Sequence, residues 1–86
     1  MKTIRLSQHA LDQARLRGAT QDEIAETVRT VAWAQAKRGR FQARKTFAFG
    51  RASPINGIFY SSKTVDVIFA DEADEIVVIT VLVYYH

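Results

Sequence analysis

The chain has little that fixes a fold covalently or places it in a membrane. Its 86 residues include no cysteine, one proline and four glycines. The lack of cysteine excludes a disulfide scaffold and a thiolate metal site. No apolar run approaches the roughly 20 residues that a membrane-spanning helix needs, and the N-terminal segment lacks the apolar stretch of a signal peptide. With 48% hydrophobic residues and no low-complexity tract, the sequence predicts one folded, cytoplasmic domain over residues 1–86, with no membrane partner.

Charge of one sign dominates each part of the chain. Residues 1–51 carry eleven basic and four acidic side chains, whereas residues 52–86 carry one and five. Six basic residues follow one another with no acid between them: Lys37, Arg38, Arg40, Arg44, Lys45 and Arg51. Such a stretch favours a phosphate-binding surface, because Lys and Arg release counterions from a polyanion. It equally fits an acidic, antitoxin-like partner protein or a merely solvated surface.

Two helices are predicted in the first part of the chain. Ser7 is a suitable N-cap for a first helix, and Gly18 is typical of the left-handed residue that ends one. The residues from Thr20 to Glu23 then form a capping-box pattern. The second helix is expected to run to about Ala36.

The composition after Gly39 favours strands. Phe41 to Phe49 alternates, and Thr64 to Ala70 and Glu75 to Tyr85 are two further strands. One interpretation has Ile58 to Tyr60 opening another strand before a turn or bulge at Ser61 to Lys63. Lys2 to Leu6 is a short edge strand or an extended lead-in. The pattern predicts an α+β domain: two helices on one face of a three- to four-stranded, mainly antiparallel sheet (α-α-β-β-β-β). Because the last strand is apolar on both faces, a homodimer or a partner segment is expected to cover the second face.

His9 is the first candidate for chemistry. Helical spacing places His9, Gln13 and Arg17 on one face of the first helix, so His9 can act as an acid or base beside an anion clamp. The alternative is a histidine that only caps or packs. His86, the last residue, is expected to be frayed and is given no role.

Other chemistries lack their residues. The two histidines lie at opposite ends of the chain, which gives no metal-ligand spacing, and no glycine-rich loop indicates a nucleotide cofactor. We therefore expect no metal and no cofactor. Ribonuclease chemistry needs less, since the ribose 2′-OH is itself the nucleophile. The groups available for it are His9, Arg15, Arg17, Arg44, Lys45 and Thr80.

Aromatic residues lie mostly in predicted strands, where they are expected in the core. Tyr60 is the one that we expect to stack on a base. Trp33, on the second helix as predicted, either packs on the first helix or marks a contact surface.

Motifs at both ends of the chain resemble a known family. They are Ser7-Gln8-His9-Ala10, Arg17-Gly18-Ala19-Thr20, Glu23-Ile24, and the hydrophobic strand from Glu75 to Val81 with its threonine. The chain resembles a family of small bacterial and phage domains of unknown function, which is similar in layout to the RelE/ParE-like toxins. Those toxins are α-α-β-sheet domains that cleave RNA or inhibit gyrase.

The resemblance implies a site. By position, His9, Arg17 and Thr80 match the family's histidine, second arginine and strand threonine. Gln13 stands where the family usually has its first arginine, although Arg15 lies near enough to reach a similar region. One hypothesis is thus a metal-independent ribonuclease of toxin–antitoxin type, with His9, Arg17 and Thr80 catalytic and a nucleic-acid surface of Arg15, Arg38, Arg40, Arg44, Lys45 and Arg51. The other is a non-catalytic module that binds RNA or a protein on the same scaffold.

Overall fold

A five-stranded sheet carries two helices on one of its faces in the computed structural model, which describes residues 2–86. The elements in chain order are β1 (Thr3–Leu6), α1 (Gln8–Arg17), α2 (Gln21–Thr30), β2 (Ala34–Gln35), β3 (Phe41–Ala52), β4 (Phe59–Asp71) and β5 (Glu75–Tyr85). A short 3-10 turn, Lys37–Gly39, joins β2 to β3. The strand order across the sheet is β1-β5-β4-β3-β2.

The α+β class is confirmed, but the strand count and the pairing differ from the prediction. The part of the chain that the structure describes has five strands rather than three or four. The three pairings among β2, β3, β4 and β5 are antiparallel, while β1 lies parallel to β5 with Ile4 opposite Ile76. The sheet is therefore mixed. A four-residue strand is too short for its periodicity to reveal its partner.

The predicted helix ends are confirmed where local capping decides them. The Ser7 hydroxyl accepts a hydrogen bond from the Ala10 amide, and Gly18 ends α1 with φ 85°. Thr20 and Glu23 form the reciprocal capping box that starts α2. Each contact satisfies backbone groups that a helix end leaves without an intrahelical partner.

Helix α2 ends at Thr30, so the prediction that it continues to about Ala36 was wrong. Val31 is already extended, with ψ 156°. Trp33 lies beyond the helix, with its ring centroid 5.4 Å from that of Phe41 and 4.8 Å from that of Phe69, and its indole N–H donates to Val28 O. Trp33 therefore packs on sheet phenylalanines rather than on the first helix. A helix continued through Trp33 could not make these aromatic contacts, which accounts for the end of α2 at Thr30.

Strand β4 runs through Ser61 to Lys63 without the expected turn, but its register with β3 is irregular at Ser61, between the pairs Ala48–Ser62 and Arg51–Tyr60. Ser62 exchanges two backbone hydrogen bonds with His86 of β5, and Lys63 lies opposite Phe47 of β3. No turn forms because backbone pairing with β3 and β5 holds Ser62 and Lys63 extended.

The core lies between the helices and the sheet. It consists of Ala10, Ala14, Ala19, Ile24, Val28, Ala43, Val65, Val67, Phe69, Ile76, Val78 and Val81. The residues that α1 buries are both alanines, Ala10 and Ala14, so that helix can approach β5 closely. Neither helix within residues 2–86 is long and apolar enough to cross a membrane.

Candidate nucleic-acid interface

The sheet face opposite the helices, here called the open face, presents a grid of side chains. Because strand side chains alternate, the neighbours of the core valines point to this face. Register aligns them in rows across β3, β4 and β5: Gln42, Ile68 and Thr80; Arg44, Asp66 and Leu82; Thr46, Thr64 and Tyr84; Ala48, Ser62 and, beyond β5, His86. The grid is polar towards β3 and more apolar along β5.

A basic groove of about 790 Å³ lies at one end of the open face. Lys37, Arg38 and Arg40 line it from the turn between β2 and β3, above a floor that includes Ile68 and Thr80. Arg38 has φ 63° and the following glycine φ 72°, so two left-handed residues curl this turn over the sheet. Among residues 2–86, no carboxylate forms an ion pair with any of the three cations. The groove therefore concentrates positive charge that has no internal partner.

Asp66 positions Arg44 in the next row. Its carboxylate is 1% exposed and accepts hydrogen bonds from Gln42 Nε2 at 2.8 Å and from Arg44 Nη2 at 2.8 Å. The hydrogen bond with Asp66 raises the pKa of Arg44 above its already high ordinary value. The Arg44 side chain is still 60% exposed, and its guanidinium carbon lies 5.9 Å from the ring centroid of Tyr84. Asp66 thus holds a permanent cation beside an exposed aromatic ring.

Tyr84 and His86 lie on the open face, although neither was predicted to have a functional role. Tyr84 is 49% exposed. His86 Nε2 lies 2.9 Å from the Thr64 hydroxyl, which lies 2.8 Å from the hydroxyl of Thr46. Together with the backbone pairing to Ser62, this contradicts the expectation of a frayed His86. The alternation of β5 was the available signal, since it places residues 80, 82 and 84 on one face.

Tyr60, which we expected to stack on a base, points away from the open face. Its hydroxyl accepts a hydrogen bond from Asn56 Nδ2 at 3.1 Å, and its ring centroid lies 5.8 Å from that of Tyr85. Tyr85 in turn donates a hydrogen bond to Arg17 O of α1, on the helix side. Tyr84 is therefore the tyrosine that the open face presents.

The predicted catalytic residues are spread over two elements. The His9 side chain is exposed on α1, and no side chain or backbone group of residues 2–86 forms a hydrogen bond with it. Arg17 Nη1 donates to Val81 O at 2.6 Å. Thr80 lies on the open face in the basic groove. Within the described residues no hydrogen bond joins any two of His9, Arg17 and Thr80, so the catalytic set stays a prediction.

Gln13 and Arg17 both bind the edge of β5. Strand β1 ends at Leu6, opposite Val78, so β5 continues past its only neighbour on that side. The Val81 amide donates to Gln13 Oε1 at 2.8 Å, and the Val81 carbonyl accepts from Arg17. These two side chains replace the missing strand. Gln13 thus has a clear structural use at this edge.

The six predicted nucleic-acid-binding residues divide into two groups. Arg38, Arg40 and Arg44 lie together on the open face. The others do not: Lys45 bonds to Glu26 and Thr30 of α2, Arg51 lies over the ring of Phe49 at 4.8 Å, and Arg15 is exposed on α1. Lys37, predicted only as part of the basic stretch, joins the first group.

In residues 2–86 no three His, Cys, Asp or Glu side chains come together as a metal site would require.

No family model, no curated protein and no solved structure matches the chain. What the open face can do chemically must follow from its own residues.

Proposed function

We propose that this chain binds single-stranded RNA on the open face of its sheet. The backbone phosphates lie in the basic groove of Lys37, Arg38 and Arg40, and a base stacks on Tyr84. The observation that carries the proposal is the groove itself, in which three cations share one cavity without an ion-paired carboxylate in the described part of the chain. Phosphate oxygens are the partners that such a cluster fits best.

The other residues of the face favour a single strand over a duplex. Arg44 and Tyr84 form an exposed cation–aromatic pair, and unstacked bases bind to such surfaces. The rows from Gln42 to Ala48 extend over about 20 Å at the usual strand rise. That length accommodates a few extended nucleotides. The two helices followed by antiparallel strands also resemble the RelE/ParE-like layout, which supports a nucleic-acid role by analogy alone.

Binding is tested by fluorescence anisotropy of a short, labelled, single-stranded RNA at several salt concentrations. The test variant is the double substitution Arg38→Gln, Arg40→Gln. Each phosphate contact on a single strand contributes about 0.7 to the slope of log K against log salt. We expect the variant to bind more weakly and its slope to fall by about 1.4.

The matched control is Arg15→Gln, Arg29→Gln, which removes the same charge from exposed positions on the two helices. It should keep the salt slope of the unmodified chain. Equal losses in both variants would mean that only net charge matters, and the groove would lose its role. Tight duplex binding with no preference for a single strand would also count against the proposal.

RNA cleavage is a second candidate function, favoured by the position of His86. The Thr64 hydroxyl orients its ring on the same face as Arg44 and Tyr84. A histidine and a fixed cation on one face are the two kinds of group that attack by the ribose 2′-OH requires, a base and a stabiliser of phosphate charge. The exposed His9 on α1 offers the alternative base, as in the toxin-type hypothesis.

The two histidines are distinguished by incubating RNA with the protein in the presence of a chelator. Products ending in a 2′,3′-cyclic phosphate would identify the metal-independent reaction. If the open face is the active site, His86→Gln should abolish cleavage and His9→Gln should preserve it. The reverse result would support His9 on α1 as the base. If no form cleaves RNA, the protein is a binding module.

A further inference from the structure

The outer edge of β3 is open over its middle part. Strand β2 covers only the start of β3, where Ala34 pairs with Gln42. At the other end the register with β4 shifts between Ala48 and Arg51, so an irregularity that includes Gly50, with φ 64°, ends the regular edge. The segment from residue 43 to residue 48 thus has a strand on one side only.

The direction of the free backbone groups follows from the ladder. Ser62 exchanges both hydrogen bonds with His86, so the even residues of β4 from 62 to 68 pair with β5 and its odd residues pair with β3. The odd residues of β3, including Lys45 opposite Val65, therefore point their backbone groups at β4. The amides and carbonyls of Arg44, Thr46 and Ala48 point outward. Among residues 2–86 they have no hydrogen-bond partner.

At the opposite edge of the sheet, side chains already bind the exposed backbone. On β5, the side chains of Gln13 and Arg17 already bind the amide and carbonyl of Val81. On β3, the three residues with outward-facing backbone are all exposed. An exposed edge of this kind can take up one more strand from a partner.

Charge indicates what kind of strand fits. The edge contains Arg44, which is paired with Asp66, and Lys45, which is paired with Glu26. It lies between the basic turn before β3, whose three cations have no ion-paired carboxylate among residues 2–86, and Arg51 after it. A second copy paired along this edge would bring two such basic stretches together, which disfavours self-association. An acidic strand would instead bring carboxylates close to the cations of the basic groove.

We infer that the β3 edge binds an extended acidic segment of a partner protein by strand addition. The segment pairs its backbone with Arg44, Thr46 and Ala48 and directs its carboxylates towards Arg44 and the basic groove. This interaction surface does not depend on RNA binding. It predicts, however, that a bound segment and RNA compete for Arg44.

The experiment uses the whole chain and an acetylated peptide of alternating glutamate and valine, about eight residues long, as the probe. Binding is followed by fluorescence titration and by amide hydrogen exchange. We expect exchange to slow at the amides of Arg44, Thr46 and Ala48 when the peptide is added. A peptide with lysine in place of glutamate should not bind.

The test variant is Thr46→Pro, and its matched control is Thr46→Ala. Both lose the hydroxyl contact with Thr64, but only proline removes the outward N–H, which forms no ladder bond with β4. We expect proline to weaken peptide binding roughly tenfold or more and alanine to change it little. Exchange on the unmodified chain decides the question even if the proline variant fails to fold.

Several results would overturn the inference. They are equal binding of the lysine peptide, protection that appears only at the β5 edge, or protection of the β3 amides that depends on protein concentration without peptide. The last would identify a second copy as the occupant. RNA affinity is measured on the same samples, so loss of the peptide site and failure of RNA binding are observed separately.

Discussion

Lys63 Nζ lies 2.8 Å from Glu23 Oε1 on the helix-covered side of the sheet, where the lysine is 2% exposed. The same ammonium donates to Gly18 O at 3.0 Å and lies 5.4 Å from the ring centroid of Phe49. One side chain of β4 therefore joins the end of α1, the start of α2 and the aromatic packing of β3. A buried cation with this many partners holds the helix pair against the sheet.

We expect Lys63→Met to destabilise the fold by about 3 kcal/mol, the lower end of the range for breaking a buried ion pair, because Glu23 is partly exposed. Urea unfolding followed by circular dichroism measures the change. Lys45→Met is the control, since its ion pair with Glu26 is solvent-exposed and should contribute less than about 1 kcal/mol. Similar losses in the two variants would mean that the Lys63 contacts have no special weight.

Stability should also depend on the ionisation of Glu23. Partial burial alone would raise its pKa, but the hydrogen bonds from Lys63 and from the Thr20 amide outweigh burial and hold the pKa below its ordinary value of 4.5. A lowered folded-state pKa stabilises the protein above the unfolded-state pKa, and the benefit disappears as pH falls through the folded value.

The difference in unfolding free energy between the unmodified chain and Glu23→Gln should therefore be largest above about pH 5 and shrink in more acidic solution. Denaturant titrations at a series of pH values measure it. Asp22→Asn, on the same helical turn but exposed, removes a charge without the Lys63 contact and serves as the control. A difference for Glu23→Gln that does not change with pH would contradict this assignment.

Gly18 is required for two separate reasons. Its φ is 85°, and a Cβ at this position would lie 2.6 Å from the Tyr85 hydroxyl and 2.8 Å from Pro54 Cγ. We expect Gly18→Ala to cost about 1–2 kcal/mol for the left-handed backbone and a further 1–3 kcal/mol for the overpacking. Gly39→Ala isolates the first effect, because Gly39 has φ 72° with open space around it. Thermal or urea unfolding of both variants should show the larger loss at Gly18.

The helix ends could be predicted because a few neighbouring residues determine them. Ser7, Gly18 and the capping box from Thr20 to Glu23 act through bonds within one turn. The end of α2 could not, since Trp33 is held by phenylalanines of β3 and β4 that are distant in sequence. Local patterns carry no information about such contacts.

The site was only half predictable for a similar reason. The basic stretch from Lys37 to Arg51 was visible in the sequence, but its division between two faces depends on strand register. In the sequence, Asp66 is one acid among several. In the fold it is buried and accepts hydrogen bonds from Gln42 and Arg44, which fixes both side chains on the open face. His86 was predicted to be frayed because it is the last residue, but its backbone hydrogen bonds with Ser62 hold it in the sheet.

Activity tests of His9 and Arg17 on α1 depend on what each side chain contributes to the fold. Arg17 binds Val81 O, so Arg17→Ala removes a partner from a partly buried backbone group and should destabilise the protein by about 1–3 kcal/mol. His9 is exposed and unpartnered among the described residues, so His9→Ala should change stability by no more than about 0.5 kcal/mol.

Urea unfolding of the two variants measures both values. If they hold, a loss of RNA cleavage in Arg17→Ala is explained by destabilisation, and the same loss in His9→Ala is evidence that His9 takes part in the chemistry. A stable Arg17→Ala that loses activity would instead place the guanidinium at the substrate, because its bond to Val81 would then contribute little to the fold.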